Sequence, residues 1–216
     1  MSEGRDKPIP NPACPGVDKL GLSMETIPAY KRLVCDVLVV GGGIAGCFAA
    51  IKARAKGAEV LLIDKGYVGK SGQSPYANSY MVFNPEWGHN LGTWMSLINR
   101  TSEYVNNRAW TELTITKSYD SYQDLLRWGV KFKLAPDGKV LRQTGPTGVT
   151  EQIRFDDMKH GDYMQTLRRQ AIKAGVKILD RVMFTELFKS DGRVAGGMAF
   201  SVDDPVLYVL IAGATV

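Results

Sequence analysis

The sequence predicts an α/β fold that opens with a parallel βαβ unit and ends in an antiparallel β-meander, and three observations carry that reading. The apolar run Cys35-Asp36-Val37-Leu38-Val39-Val40 leads into Gly41-Gly42-Gly43-Ile44-Ala45-Gly46, and a second run, Val60-Leu61-Leu62-Ile63, ends on Asp64, eighteen residues after Gly46. The stretch between them is alanine-rich and reads as a helix. Far along the chain, residues 176–179, 182–189 and 194–202 read as strands, the last two joined by the turn Ser190-Asp191-Gly192-Arg193. A repeat of βα units would have given a plain doubly wound sheet; the meander departs from it.

Each element follows in order. Residues 1–32 hold Pro8, Pro10, Pro12, Pro15 and Pro28 and read as an extended, partly disordered tail. The first strand spans about 35–40, the first helix 44–56 and the second strand 59–64. Gly41 permits the sharp turn, Gly43 lets backbone approach a diphosphate, and Gly46 lets the helix pack close to the strand. Orphan N–H groups at the helix start, where Ile44 and Ala45 lie, form an anion site that the helix dipole reinforces. Ala50 faces the sheet, Gly57 ends the helix, and Asp64 is placed to hold ribose hydroxyls. Together these residues describe a Rossmann-like site for an adenine dinucleotide.

A loop follows, Lys65-Gly66-Tyr67-Val68-Gly69-Lys70-Ser71-Gly72-Gln73-Ser74, whose backbone amides can serve phosphate or flavin. Helical spacing appears over 92–105 and 108–128, with Trp94, Leu97 and Ile98, then Leu113, Tyr122, Leu125 and Leu126, on core faces. Residues 131–156 read as irregular, with turns at Pro136-Asp137-Gly138 and Gly145-Pro146-Thr147-Gly148. A helix over 160–174, stopped by Gly175, precedes the late strands. Residues 206–216 are short and β-branched and read as a strand, not a membrane span.

Composition narrows the function. The 216 residues, 44% hydrophobic and 23% charged, suit one sizeable soluble globular domain or two small ones. A net charge of +5 with no basic block interleaved with aromatics argues against nucleic acid as a partner. Cys14, Cys35 and Cys47 are odd in number and lack metal-ligand spacing, which points to a reducing, cytoplasmic setting and to no metal site. The polar, proline-rich start is unlike a signal peptide, and no stretch reaches the length of a membrane helix.

The fingerprint from Gly41 to Asp64, the Lys70-Ser71-Gly72 loop and the block Gly161…Gly175-Val176-Lys177-Ile178…Phe184…Asp191-Gly192-Arg193-Val194-Ala195-Gly196 together resemble one family. It is that of the FAD-binding flavoprotein subunits of succinate dehydrogenase and fumarate reductase, with adenylylsulfate reductase and aspartate oxidase as relatives. The resemblance covers about residues 33–216 and implies an FAD-binding domain there, incomplete because it lacks the capping domain and the C-terminal return. By resemblance Gly41, Gly43, Ile44, Ala45 and Gly46 hold the FAD diphosphate. Asp64 and Lys65 then meet the adenosine ribose, and Lys70, Ser71 and Gly72 run along the flavin half. Phe184 matches a position whose backbone meets the adenine, a core aromatic being the alternative. Where covalent members carry a histidine in the serine-bearing loop, this chain has Ser71-Gly72-Gln73, which implies non-covalent FAD. The family's ATGG-type loop and its substrate-binding histidine and arginines would lie beyond Val216, so no catalytic residue is carried over.

The resemblance implies an oxidoreductase that moves hydride or electrons between a small organic substrate and FAD. An iron–sulfur or other electron-transfer subunit is its candidate partner. Two readings stand beside it: an NAD-dependent dehydrogenase, which Asp64 fits equally well, and a truncated nucleotide-binding module without turnover. Of the two histidines, His160 is the better candidate for chemistry because it opens a helix after Asp156-Asp157. Both His89 and His160 read first as surface or satisfied core residues.

Overall fold

A computed structural model gives the structure of the protein and describes residues 30–145, 148–156 and 162–216. The strands are β1 (Tyr30–Val40), β2 (Val60–Ile63), β3 (Ser79–Met81), β4 (Arg142–Thr144), β5 (Glu151–Arg154), β6 (Lys177–Leu179), β7 (Val182–Ser190), β8 (Arg193–Ser201) and β9 (Leu207–Thr215). The helices are α1 (Ile44–Ala55), α2 (Leu91–Thr101), α3 (Arg108–Arg127) and α4 (Asp162–Lys173). Six strands form the main sheet in the order β6-β2-β1-β9-β8-β7, and β3-β5-β4 form a small antiparallel sheet.

The first two apolar runs lie parallel and adjacent, with Val37 opposite Val60 and Val40 opposite Ile63. On the other flank of β1, β9 also runs parallel, from Tyr30 opposite Leu207 to Leu38 opposite Thr215. The antiparallel pairs β7–β8 and β8–β9 return the meander to the centre of the sheet. All four residues of β2 are buried, as a strand covered on both faces requires. One face carries Val39, Leu62, Cys47, Ala50, Ile51, Met164 and Leu167 in a core shared with α1 and α4. The opposite face packs Leu38, Leu61 and Ile63 against Val182, Ala199 and Leu210. Each such large side chain contributes about 1.5–3 kcal/mol of burial.

Asparagines start two of the helices. Asn90 accepts the Thr93 N–H at 3.0 Å and Asn107 that of Trp110 at 3.1 Å, each satisfying an orphan donor of the first turn. α2 stops at Thr101, short of the expected 105, because Glu103 and Tyr104 take φ of 51° and 62°, left-handed values that cannot continue a helix.

Two further expectations are corrected and a third is met over the described residues. The strand begins at Tyr30, so residues 30–32 belong to β1 and not to the tail; residues 1–29 lie outside the described residues. The span 131–156 is not irregular, since it supplies β4 and β5 and the bridges Phe132–Phe155 and Leu134–Val140. The helix expected over 160–174 is described over Asp162–Lys173, and His160 with Gly161 lies outside the described residues, as do Pro146 and Thr147 of the second turn.

Candidate functional site

At the end of β1 the chain turns through Gly41, whose φ of 108° is freely open only to glycine. The Gly41 N–H donates to the Ile63 carbonyl at 2.8 Å, which pins the turn to β2. A Cβ on Gly46 would lie 1.8 Å from the Gly41 carbonyl oxygen, so only glycine lets α1 start this close to the strand. Gly43 is the N-cap residue, with extended backbone and no capping side chain of its own. The amides of Gly43, Ala45 and Gly46 have no acceptor among the described residues. Three donors therefore converge at the positive end of α1, the arrangement that binds a phosphate or diphosphate.

Asp64 does something the sequence did not disclose. It is 8% exposed, and its two carboxylate oxygens accept the N–H groups of Gly42 at 2.6 Å and Gly66 at 2.7 Å. The acid thus ties the glycine turn to the following loop. A carboxylate offers about four lone-pair positions, so two remain for a sugar hydroxyl.

The loop amides are largely committed, contrary to the expectation that they are open to a ligand. Those of Gly66, Tyr67, Val68, Gly69 and Lys70 donate to Asp64, Ser71 Oγ, Asp180, the Gly42 carbonyl and the Tyr67 carbonyl. The amides of Lys65 and of residues 71–74 have no acceptor among the described residues, which leaves Ser71 and Gly72, but not Lys70, with a free N–H. Helix α4 holds the loop by its carbonyls. Arg168 donates to Val68 O at 3.1 Å, Gln165 to Gly69 O at 3.2 Å, and the Tyr163 hydroxyl to Ser74 O.

Arg168 also grips Asp180 with both ends of its guanidinium, at 2.8 and 2.6 Å. Burial would raise the Asp180 carboxyl, but Arg168 and the Val68 N–H outweigh it and hold the group below the usual carboxylate range. Burial pushes the Tyr163 phenol up to about 12, so it stays a hydrogen-bond donor at neutral pH. Burial likewise raises the Cys47 thiol to about 12, which leaves it an inert packing group under α1. Tyr163, Gln165, Arg168 and Asp180 are residues that sequence reasoning missed beside the loop, and of Ser74 it considered only the backbone.

A groove of about 670 Å³ runs beside the loop, lined by Gly69, Lys70, Pro75, Tyr76 and Gln165. Lys65 and Lys70 belong to this loop, and Lys70 lies over the Tyr67 ring at 6.0 Å. Phe184 stands in β7 opposite Ala199, half-buried, with its ring against Gly197, where a Cβ would lie 2.2 Å from it. Its side chain is therefore a packing group, whatever its backbone meets.

His89 sits elsewhere. Its Nδ1 accepts the Asn84 N–H at 3.0 Å, Nε2 lies 3.1 Å from Glu151, and the rings of Trp94 and Phe83 approach to 4.9 and 5.8 Å. Its side chain is 6% exposed, so it is a core residue, although its Nε2 makes no hydrogen bond among the described residues. Among the described residues no cluster of His, Cys, Asp or Glu could hold a metal ion.

The chain matches a protein family described as FAD binding domain over residues 36–216. One of its relatives is a component of the fumarate reductase (CoM/CoB) of Methanothermobacter marburgensis, 25% identical over 182 residues, which is 81% of this chain and 33% of the relative. The L-aspartate oxidase of Pyrococcus abyssi is 28% identical over 161 residues, 74% of this chain and 33% of the relative. Among solved structures, E. coli quinol fumarate reductase superposes with a TM-score of 0.76 at 20% identity, over 86% of this chain and 32% of that one. Adenylylsulfate reductase from Archaeoglobus fulgidus gives 0.69 at 24% identity, over 87% of this chain and 30% of that one. The chain spans about a third of the length of these relatives, and the structures share its fold.

Proposed function

We propose a function from one premise: this chain belongs to the FAD-binding domain family, which it matches over residues 36–216. Its relatives are FAD-dependent oxidoreductases, and the match decides the cofactor for flavin over the nicotinamide rival. In our reading the domain runs from Tyr30 to Val216 and seats the FAD diphosphate on the amides of Gly43, Ala45 and Gly46, with Gly41 making the turn and Ile44 alongside. Asp64 and Lys65 then serve the adenosine ribose, the Phe184 backbone the adenine, and Lys70, Ser71 and Gly72 the flavin half. The observation that carries this is the trio of unspent amides above a turn that admits no side chain at Gly46.

Bound FAD supplies the two-electron chemistry of its flavin ring; this chain binds and orients it. Attachment is non-covalent, since the loop of residues 65–76 holds no histidine and His89 is enclosed among aromatic rings. We place this domain in a fumarate reductase or succinate dehydrogenase type of enzyme that passes hydride or electrons between a small organic acid and FAD. Its partner in this reading is an iron–sulfur or other electron-transfer subunit. A cytoplasmic setting is favoured by the free thiols of Cys35 and Cys47. No helix among the described residues is long and apolar enough to cross a membrane.

The test is titration of the 216-residue chain with FAD, read by quenching of flavin fluorescence. Saturable binding, colour released by acid, and loss of binding in Gly43→Val are expected. The Gly43 backbone, with φ of −75°, is open to valine, whose Cβ would lie 3.1 Å from the Ser74 hydroxyl, so this variant fills the mouth of the turn. Undiminished FAD binding by Gly43→Val, or no binding by the unaltered chain, would overturn the assignment.

A further inference from the structure

The two faces of the small sheet β3-β5-β4 carry different chemistry. Glu151 shares the inner face with the buried Ile153, and its carboxylate lies 3.3 Å from Arg142 and 3.1 Å from His89. Gln152 and Arg154 alternate to the outer face. There Ser79 stands opposite Arg154, while the exposed Met81 and Gln143 stand opposite Gln152. Past β4, residues 131–133 take over beside β5: Phe132 bridges Phe155, and the Lys133 N–H donates to the Arg154 carbonyl at 2.9 Å. That register sets Lys133 opposite Arg154 on the outer face, and Cβ atoms of such pairs lie about 4.5–5.5 Å apart.

Two cations directly opposite each other destabilise a sheet. Among the described residues neither the Arg154 guanidinium nor the Lys133 amine has a hydrogen bond or an ion pair, and Arg154 Nε is buried without an acceptor. Both residues are half-buried, so water and salt screen them less than a fully exposed pair. Asp156, the carboxylate that the register places on this face, is exposed, stands opposite Lys131 and forms no ion pair among the described residues. The remaining neighbours add a donor. Ser79 Oγ donates to Gln152 Oε1 at 2.8 Å, which fixes the amide and leaves its NH2 group to donate.

We propose that this face binds a small oxyanion, a dicarboxylate or a phosphate, held by the Arg154 guanidinium and the Lys133 ammonium with the Gln152 amide beside them. Arginine presents parallel N–H groups to two oxygens at once, and lysine adds a compact charge. A bound anion cancels the repulsion between the two cations, so anion binding also stabilises the small sheet. The site uses none of the residues assigned to FAD and does not depend on that assignment.

The experiment is thermal unfolding and calorimetric titration of the 216-residue chain without FAD, at constant ionic strength, with malonate, inorganic phosphate or acetate as the probe. Malonate or phosphate should bind saturably and raise Tm, and singly charged acetate should do so far less. The tighter of the first two tells whether the ligand class is carboxylate or phosphate. Arg154→Met, which keeps an apolar stem and removes the fork, should weaken binding by about tenfold or more. Lys133→Met should weaken it as well, by a smaller factor. Without anion Lys133→Met should melt no lower than the unaltered chain, because the like-charge pair is relieved; with malonate the order should reverse. A lysine with a purely structural role would not give that reversal. The proposal falls if neither malonate nor phosphate binds, if acetate raises Tm as much as they do, or if the variants bind as the unaltered chain does. It falls equally if Lys133→Met melts lower without anion. The two variants are independent, so if one does not fold the other decides.

Discussion

The glycine turn of residues 41–46 and the loop of residues 65–76 end alike, each with a few amides unspent, but they are held by opposite means. The turn is shaped by what is missing: no Cβ at Gly46, where one would strike the Gly41 carbonyl, and no capping side chain at Gly43. The loop is shaped by what is added, since Tyr163, Gln165 and Arg168 of α4 each take one of its carbonyls. A steric requirement is all-or-none, whereas side-chain ties can be removed one at a time. Asp64 joins the two regions with one carboxylate oxygen on each, beside the Gly69 N–H on the Gly42 carbonyl and the Ile44 N–H on the Ser74 hydroxyl.

The largest effect should come from breaking the steric side. Gly46→Val is expected to cost about 4 kcal/mol or more, or to leave no folded protein, in urea unfolding. A mild loss would mean that α1 can back away from the strand, and the contrast between the regions would vanish.

Next comes the link. Asp64→Ala strands the buried amides of Gly42 and Gly66 and should destabilise by about 2–4 kcal/mol in the same assay, with FAD affinity falling as well. If stability held and only affinity fell, Asp64 would be a ribose ligand and no tie.

The smallest effect belongs to the loop side. Arg168→Gln should cost about 1–3 kcal/mol at neutral pH, because it leaves the partly buried Asp180 carboxylate without its cation. The Asp180 carboxyl is held below its ordinary value in the folded state, so the pair's contribution is complete above the unfolded pKa of about 3.9 and is lost as pH falls through the folded value. Unfolding curves of the unaltered and variant chains should therefore run a constant distance apart above about pH 5 and converge in acid. A gap that widens in acid would show that another group carries the effect.

The same contrast explains what could be read from the residues beforehand. Gly41, Gly46, Ala50 and Asp64 act within one βαβ unit, so their spacing alone announces turn, helix packing and acid. The ties to the loop span 89, 96 and 100 residues, and at the sequence level Tyr163, Gln165 and Arg168 look like polar positions on a solvated helix face. The small sheet was illegible for a related reason. β4 is Arg142-Gln143-Thr144 and β5 is Glu151-Gln152-Ile153-Arg154, so the two carry one buried apolar residue, Ile153, and no alternation to mark them. The short reach of β1 at the sequence level has its own cause: Tyr30, Lys31 and Arg32 are exposed and pair only with a strand far along the chain, at Leu207 to Val209.

That remote pairing has a consequence for how the chain is made. Val37 meets Val60 soon after leaving the ribosome, but its other neighbour, Ala214, is synthesised long afterwards. At about 5–20 residues per second, the nascent strand waits roughly ten to thirty seconds with one flank bare. During that interval a valine- and leucine-rich edge is open to any extended peptide nearby, so chaperone dependence of this protein should track the speed of translation between β2 and β9.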